Sequence, residues 1–153
     1  MDYGNIGGGG TGGTGGIAGV ISGYYQKDNT LYGFSYHRIE EFVLFSESNP
    51  KPYEYISEYS FLYGKVERSR WGMVSASSGI GFVNGILRGK QKDYPQYEPN
   101  KISTIGIPID LQAYFTPFPF FGMGINLFSN FNLQKSVFGI AIGIQVGYLW
   151  NKF

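Results

Sequence analysis

Strict two-residue alternation dominates this chain, and one of the two alternating faces has almost no charge. It is clearest near the C-terminus. There Phe138, Ile140, Ile142, Ile144, Val146, Tyr148 and Trp150 share one parity, and Gly139, Ala141, Gly143, Gln145 and Gly147 share the other. Side chains of a β-strand point alternately to opposite faces, so a run of this kind is a strand with one large apolar face and one small face. A water-soluble sheet puts Lys, Glu and Thr on its exposed face. No charged residue lies between Lys135 and Lys152.

The pattern recurs upstream in 104–115, 121–131, 74–82, 54–64 and 31–44, and less sharply in 17–26, giving seven strands. Helix is disfavoured throughout, because the 24 glycines are spread over nearly every segment and each interior Gly costs a helix ~1 kcal/mol. No apolar run is long enough for a membrane helix, but a membrane strand needs only ~9–11 residues. The fold class read from the sequence is therefore all-β: an antiparallel up-and-down transmembrane β-barrel, with residues 1–153 as a single domain. Barrels of this kind carry even strand numbers, so an eighth strand is expected within residues 1–10. Residues 4–16, GNIGGGGTGGTGG, admit two readings: a short first strand around Asp2–Gly8 followed by a loop, or a flexible segment. A dinucleotide-binding glycine loop would need a preceding apolar strand and a following helix, and neither is present.

Parity also assigns the faces. Glu54, Glu58, Asp110, Gln112, Asn126 and Gln145 fall on the small face and are expected to line the lumen as a polar network with trapped water and basic partners. Arg38 shares parity with Phe34 and Tyr36 and points outward, unless a bulge near 37–39 turns it in towards Asp110. Lys65 lies near a turn, where a long side chain can snorkel. The aromatic residues Tyr63, Trp71, Phe115, Phe121, Phe131, Phe138, Tyr148 and Trp150 sit towards strand ends. They are expected to form girdles at the two membrane interfaces, because such rings pair an apolar body with a polar edge.

Connections 27–30, 65–70 and 116–119 are short, 45–53 and 88–101 read as longer polar loops, and 132–135 breaks the alternation of lengths by being short. Short turns fit the periplasmic end and long loops the extracellular end. The loop 88–101 carries Arg88, Lys90, Lys92 and Lys101 against Asp93 and Glu98, beside Tyr94 and Tyr97. It is an ordinary solvated loop or a contact for lipopolysaccharide phosphates.

Catalytic signals are thin. The absence of Cys removes thiol chemistry and disulfides, and the single His37 excludes a multi-histidine metal site. His37 lies near Ser35, Ser46 and Ser48 in sequence, but reads more simply as a lumen or rim imidazole. Glu54 and Glu58 share a face ~13 Å apart, too far for a paired-carboxylate glycosidase. No catalytic, cofactor or metal site is expected, and the net charge of +1 gives no reason to expect nucleic acid.

With those residues in view, the chain over 17–153 resembles the small bacterial outer-membrane β-barrels of the OmpA-like transmembrane type, in a Gly/Tyr-rich style similar to Bacteroidetes examples. The ending Gln145-Val-Gly147-Tyr-Leu-Trp150-Asn-Lys-Phe153 resembles the aromatic-terminated strand read by the barrel-assembly machinery, with Gly147, Trp150 and Phe153 as its signal residues and Lys152 as a departure. The resemblance implies a bacterial outer-membrane location, although the chain as written opens without a signal peptide. It also implies a structural or interaction role rather than an enzymatic one. Partners would be outer-membrane lipid, lipopolysaccharide, the assembly machinery and a protein partner of unknown kind. The alternatives are a small-solute channel of porin type, a lipid-modifying barrel enzyme, and a soluble lipocalin-like ligand-binding barrel.

Overall fold

The computed structural model describes residues 2–12, 16–41, 54–93 and 96–148. They form eight antiparallel strands: β1 (Asp2–Gly12), β2 (Gly16–Lys27), β3 (Thr30–Glu41), β4 (Tyr55–Arg68), β5 (Gly72–Asp93), β6 (Gln96–Phe118), β7 (Phe121–Asn132) and β8 (Val137–Gly147). Each pairs with the next in sequence, and β1 pairs with β8 to close the barrel.

The glycine run does form a strand, and a longer one than the sequence suggests. Gly7, Gly8, Gly9 and Gly10 pair with Val20, Gly19, Ala18 and Ile17 on one side and with Gly143, Ile142, Ala141 and Ile140 on the other. Closure supplies two partners to a segment whose own propensity is poor.

One further expectation is corrected, and one open alternative is decided. Residues 88–93 and 96–101 are not a loop: β5 and β6 run for 22 and 23 residues and continue as a two-stranded ribbon past the rim, with register shifts between Arg88 and Asp93. β4 stops pairing with β5 at Tyr55↔Ile86, and β7 pairs with β6 only up to Gly106↔Asn132. The open alternative concerned β3, where alternation points Arg38 outward. Its register with β2 and β4 is continuous from Thr30 to Glu40, so no bulge turns Arg38 inward. Arg38 is exposed and donates from Nε to Glu40 Oε1 at 2.6 Å. The loop 45–53 lies outside the described residues.

Short turns at Asp28–Asn29, Ser69–Trp71 and Pro119–Phe120 share one end of the barrel with the start of β1 and the end of β8. Asp28 there takes a left-handed backbone (φ 53°), which a short polar side chain tolerates. The ribbon and the 133–136 turn stand at the opposite end.

One seam is imperfect. The β5–β6 ladder lapses at Gly79–Ile80 opposite Ile107–Pro108 and resumes in the same register at Gly81↔Gly106. Proline carries no N–H, so β6 cannot donate there. The Ser78 hydroxyl donates to the Pro108 carbonyl at 2.7 Å, which satisfies that acceptor locally.

Candidate functional site

The outward parity is apolar over a continuous band. On β5 to β8 it runs Val74–Phe82, Ile105–Phe115, Phe121–Phe131 and Phe138–Val146 with no charged residue. Ile142 is 74% exposed, Ile105 62% and Ile107 59%. An apolar surface that runs across four neighbouring strands is larger than the few hundred Å² that soluble monomers expose. Ten residues at ~3.3 Å rise and a ~40° tilt give ~25 Å, the height of an outer-membrane hydrocarbon band.

Aromatic rings on this face are unevenly shared. Trp71, Phe115, Phe118, Phe120 and Tyr148 are exposed near the short-turn end, with Phe121 half-buried, and Phe131 and Phe138 flank the opposite 133–136 turn. Tyr63 lies deeper along β4, where its ring meets Tyr32 at 5.5 Å, while Tyr32 meets Tyr25 at 6.4 Å. Phe34 meets Phe61 at 5.3 Å, and Tyr36 meets Tyr59 at 4.8 Å. The β2–β4 wall is thus aromatic and the β5–β8 wall mainly aliphatic. Trp150 and Phe153 lie outside the described residues; Gly147 ends β8 with φ 152°.

Inside, side chains fill the barrel in layers. Tyr24, Leu31, Leu62, Val66, Met73 and Tyr114 form an apolar floor towards the short turns. Ile56, Val83, Ile102 and Val137 pack towards the other end. Polar groups occupy the space between. Asp110 is buried, while its strand neighbours Ile109 and Leu111 face out. The Asp110 carboxylate accepts from the Tyr24 hydroxyl at 3.0 Å, from Gln112 Nε2 at 3.2 Å and from Asn126 Nδ2 at 3.5 Å. Gln112 also donates to the Tyr24 oxygen. Glu58 accepts from Ser60 and stands 3.9 Å from His37 Nδ1, and the His37 ring stacks on Phe128 at 4.8 Å. Gln145 is fully buried and lies against Met73 Sδ at 3.8 Å.

The structure therefore brings Asp110, Gln112 and Asn126 together around Tyr24, and sets Glu58 beside His37 and Ser60. The partner of Asp110 is Tyr24 with two amides, not Arg38. Tyr24 was the residue that alternation missed: it has inward parity on β2, the strand with the least sharply divided faces. Ser22, Ser35, Ser75 and Ser77 hydroxyls and the Asn126 and Gln145 amide oxygens are buried without a protein partner, which is the chemistry that holds internal water. Among the described residues no group of His, Cys, Asp and Glu is arranged to hold a metal ion.

This network sets a mutational expectation. Asp110→Ala leaves the Tyr24, Gln112 and Asn126 donors without their acceptor, at about 1–3 kcal/mol for each one orphaned. Asp110→Asn keeps an acceptor oxygen and removes a buried charge, so it costs less. Urea unfolding in detergent should rank wild type and Asn well above Ala; equal midpoints for Asn and Ala would show that the network holds nothing.

Glu54 belongs to the rim rather than to the lumen layers. It accepts the Arg88 amide N–H at 2.9 Å and the Lys135 ammonium at 3.3 Å. Lys135 is placed by the turn that Asn132 closes, where Asn132 Oδ1 accepts the N–H groups of Gln134 and Lys135. Partial burial pushes the Glu54 pKa up, but the Arg88 amide and the Lys135 charge outweigh it and leave the group below its ordinary value. A lowered folded-state pKa adds stability that is fully present above the unfolded value of ~4.3 and is lost as pH falls through the folded one. The unfolding midpoint should fall on acidification through that window, and by less in Glu54→Gln.

Neither a family model nor a curated protein matches the sequence. Solved structures do match the fold. Ail, the attachment invasion locus protein of Yersinia pestis, aligns with a TM-score of 0.66 at 13% identity, covering 95% of this chain and 96% of that one. Neisserial surface protein A gives 0.67 at 10% identity over 95% and 94%. The N-terminal β-barrel domain of Pseudomonas aeruginosa OprF gives 0.65 at 12% identity over 95% of each. With its eight closed antiparallel strands, apolar outer band and polar filled interior, this chain has the fold of the small bacterial outer-membrane β-barrels.

Proposed function

We propose that the protein is an integral barrel of the bacterial outer membrane with no catalytic centre, serving as a membrane anchor that presents the β5–β6 ribbon outside the bilayer. The observation that carries this reading is the pairing of an uncharged outer band with a lumen closed by packed side chains. An eight-stranded barrel has an interior just wide enough to be filled, and here the floor cluster and the Asp110 layer occupy it. The ribbon bears Arg88, Lys90 and Lys101 against Glu98, which suits contact with anionic groups such as lipopolysaccharide phosphates. The matched Ail has been solved in a phospholipid bilayer nanodisc and, separately, with the heparin analogue sucrose octasulfate; both fit a membrane barrel that meets anionic partners.

Membrane insertion and conductance test the proposal. Purified protein should insert into lipid vesicles and migrate differently on gels before and after boiling. In planar bilayers it should show little or no steady conductance, whereas large reproducible channels would favour the small-solute channel. Folding as a soluble monomer without detergent would overturn the membrane reading.

A further inference from the structure

The middle of the lumen carries more negative charge than its own side chains balance. Asp110 and Glu58 are both buried there. Glu58 faces His37 directly across the β3–β4 ladder, so protonation of that imidazole balances one carboxylate at most. Among the described residues no lysine or arginine lines this part of the lumen. Arg38, Lys65 and Lys101 are exposed. Arg68 donates to Gln26 at the short-turn mouth, and Arg88 and Lys135 stand at the opposite rim beside Tyr97 and Glu54. The donors to Asp110 are a phenol and two amides, all neutral. We propose that the lumen binds one monovalent alkali cation on the Asp110 carboxylate, with the Ser75 and Ser77 hydroxyls and the Asn126 amide oxygen as further ligands.

Two independent observations carry it. The first is the charge itself. A buried ionised group is strongly disfavoured unless a counter-charge accompanies it. Three donors on one carboxylate are the hydrogen-bond set of the ionised form, which only accepts, and a metal ion balances that form as it stands. The second is a set of oxygens with nothing to bind. Ser77 is the cross-strand partner of Asp110 on β5, and Ser75 and Asn126 are the partners of Gln112 on its two sides. All three are more than nine-tenths buried. Yet the Ser75 and Ser77 hydroxyls and Asn126 Oδ1 have no protein partner. Opposed residues on one face of a sheet have Cβ atoms ~4.5–5.5 Å apart, so these oxygens lie around the Asp110–Gln112 pair.

The donor set also selects the kind of ion. Carboxylate, hydroxyl and amide oxygens are hard ligands, suited to alkali and alkaline-earth ions and not to zinc or copper. One carboxylate matches one positive charge, whereas a divalent ion would leave the same interior with a positive excess. The constellation differs from the imidazole- and acid-rich groups that hold transition metals, which are absent among the described residues. The ion ties β5, β6 and β7 together through Ser75, Ser77, Asp110 and Asn126. It does so two residues from Gly79 and Pro108, where the β5–β6 ladder lapses, so it reinforces the weakest seam from inside.

Urea unfolding of the barrel in detergent, at fixed pH and ionic strength, tests the site. Sodium chloride and potassium chloride are each compared with the chloride of N-methylglucamine, an organic cation too large for a filled lumen. The folded-to-unfolded ratio should rise about tenfold when one of the metal ions is present at ten times its Kd, and the gain should saturate. Asp110→Asn should abolish the gain, and Ser77→Ala should move it to higher metal concentration. Glu67→Gln, which removes an exposed carboxylate at a short turn, should leave it unchanged. Equal stability in the metal and N-methylglucamine salts would overturn the inference and assign the balancing charge to a proton. A gain that persists in Asp110→Asn, or that rises without saturating, is surface screening and overturns it as well. Should Asp110→Asn fail to fold, Ser77→Ala decides, since it leaves the carboxylate in place: an unaltered dependence on metal concentration then overturns the site.

Discussion

Placing an arginine at position 142 should remove about 2–4 kcal/mol of the barrel's stability in lipid bilayers. Ile142 is the most exposed residue of the β8 row that also holds Ile140 and Ile144, and it sits midway between Phe138 and Val146. A cation on the lipid face of a barrel costs about 2–4 kcal/mol at the midplane and little near the interfaces. The whole stability of a domain is of order 5–15 kcal/mol, so Ile142→Arg should lower the urea midpoint of unfolding from thin-bilayer vesicles by a sizeable fraction of its wild-type value. The companion variant Val146→Arg lies one short turn from the interface and should lose much less. If both arginines fold equally well, the outward band does not contact hydrocarbon.

Gly79→Val should fail to close the barrel. A Cβ at Gly79 would lie 1.8 Å from the Phe61 carbonyl oxygen and 2.9 Å from its carbon. Those are backbone atoms of the neighbouring strand β4, so relief requires separating two strands rather than rotating a side chain. The position also faces the gap left by Pro108, where β5 already lacks a full ladder. Overpacking usually costs about 1–3 kcal/mol, and a clash against sheet backbone should exceed that range. Gly19→Ala is the contrast, because a Cβ there meets nothing within 4 Å. The unfolding midpoint should be unchanged for Gly19→Ala and lost for Gly79→Val. A native-like Gly79→Val barrel would mean that the β4–β5 contact is looser than drawn.

How much of this was legible in the sequence depended on what surrounds each strand. Where a strand separates lipid from lumen, every second residue is constrained, and parity alone put Asp110, Gln112, Asn126 and Gln145 inside. Where that constraint lapses, the reading lapses with it. Residues 88–93 and 96–101 project beyond the rim with no lipid face to impose alternation, and Gly89, Pro95, Pro99 and the charges around them read as a loop. β1 is the opposite case: four consecutive glycines carry no side chains and so no pattern, and only its two neighbours make it a strand. The partner of Asp110 escaped for a third reason. Parity tells which way a residue points but not which inward residues of distant strands meet, and Tyr24 lies 86 positions from Asp110.

The β1–β8 pairing has a further meaning in time rather than in space. Every other seam joins strands adjacent in sequence and can form as a local hairpin. Closure alone must bring together Tyr3 and Gly147, and such long-range pairing carries the largest chain-entropy cost and the slowest step. Until it forms, the chain is an open sheet with two bare edges, and the glycine run on β1 is one of them. That edge has little side-chain bulk to obstruct an incoming strand. The late intermediate is therefore an open template, suited to assembly machinery that pairs with exposed strand edges and prone to pair with another copy if closure is delayed.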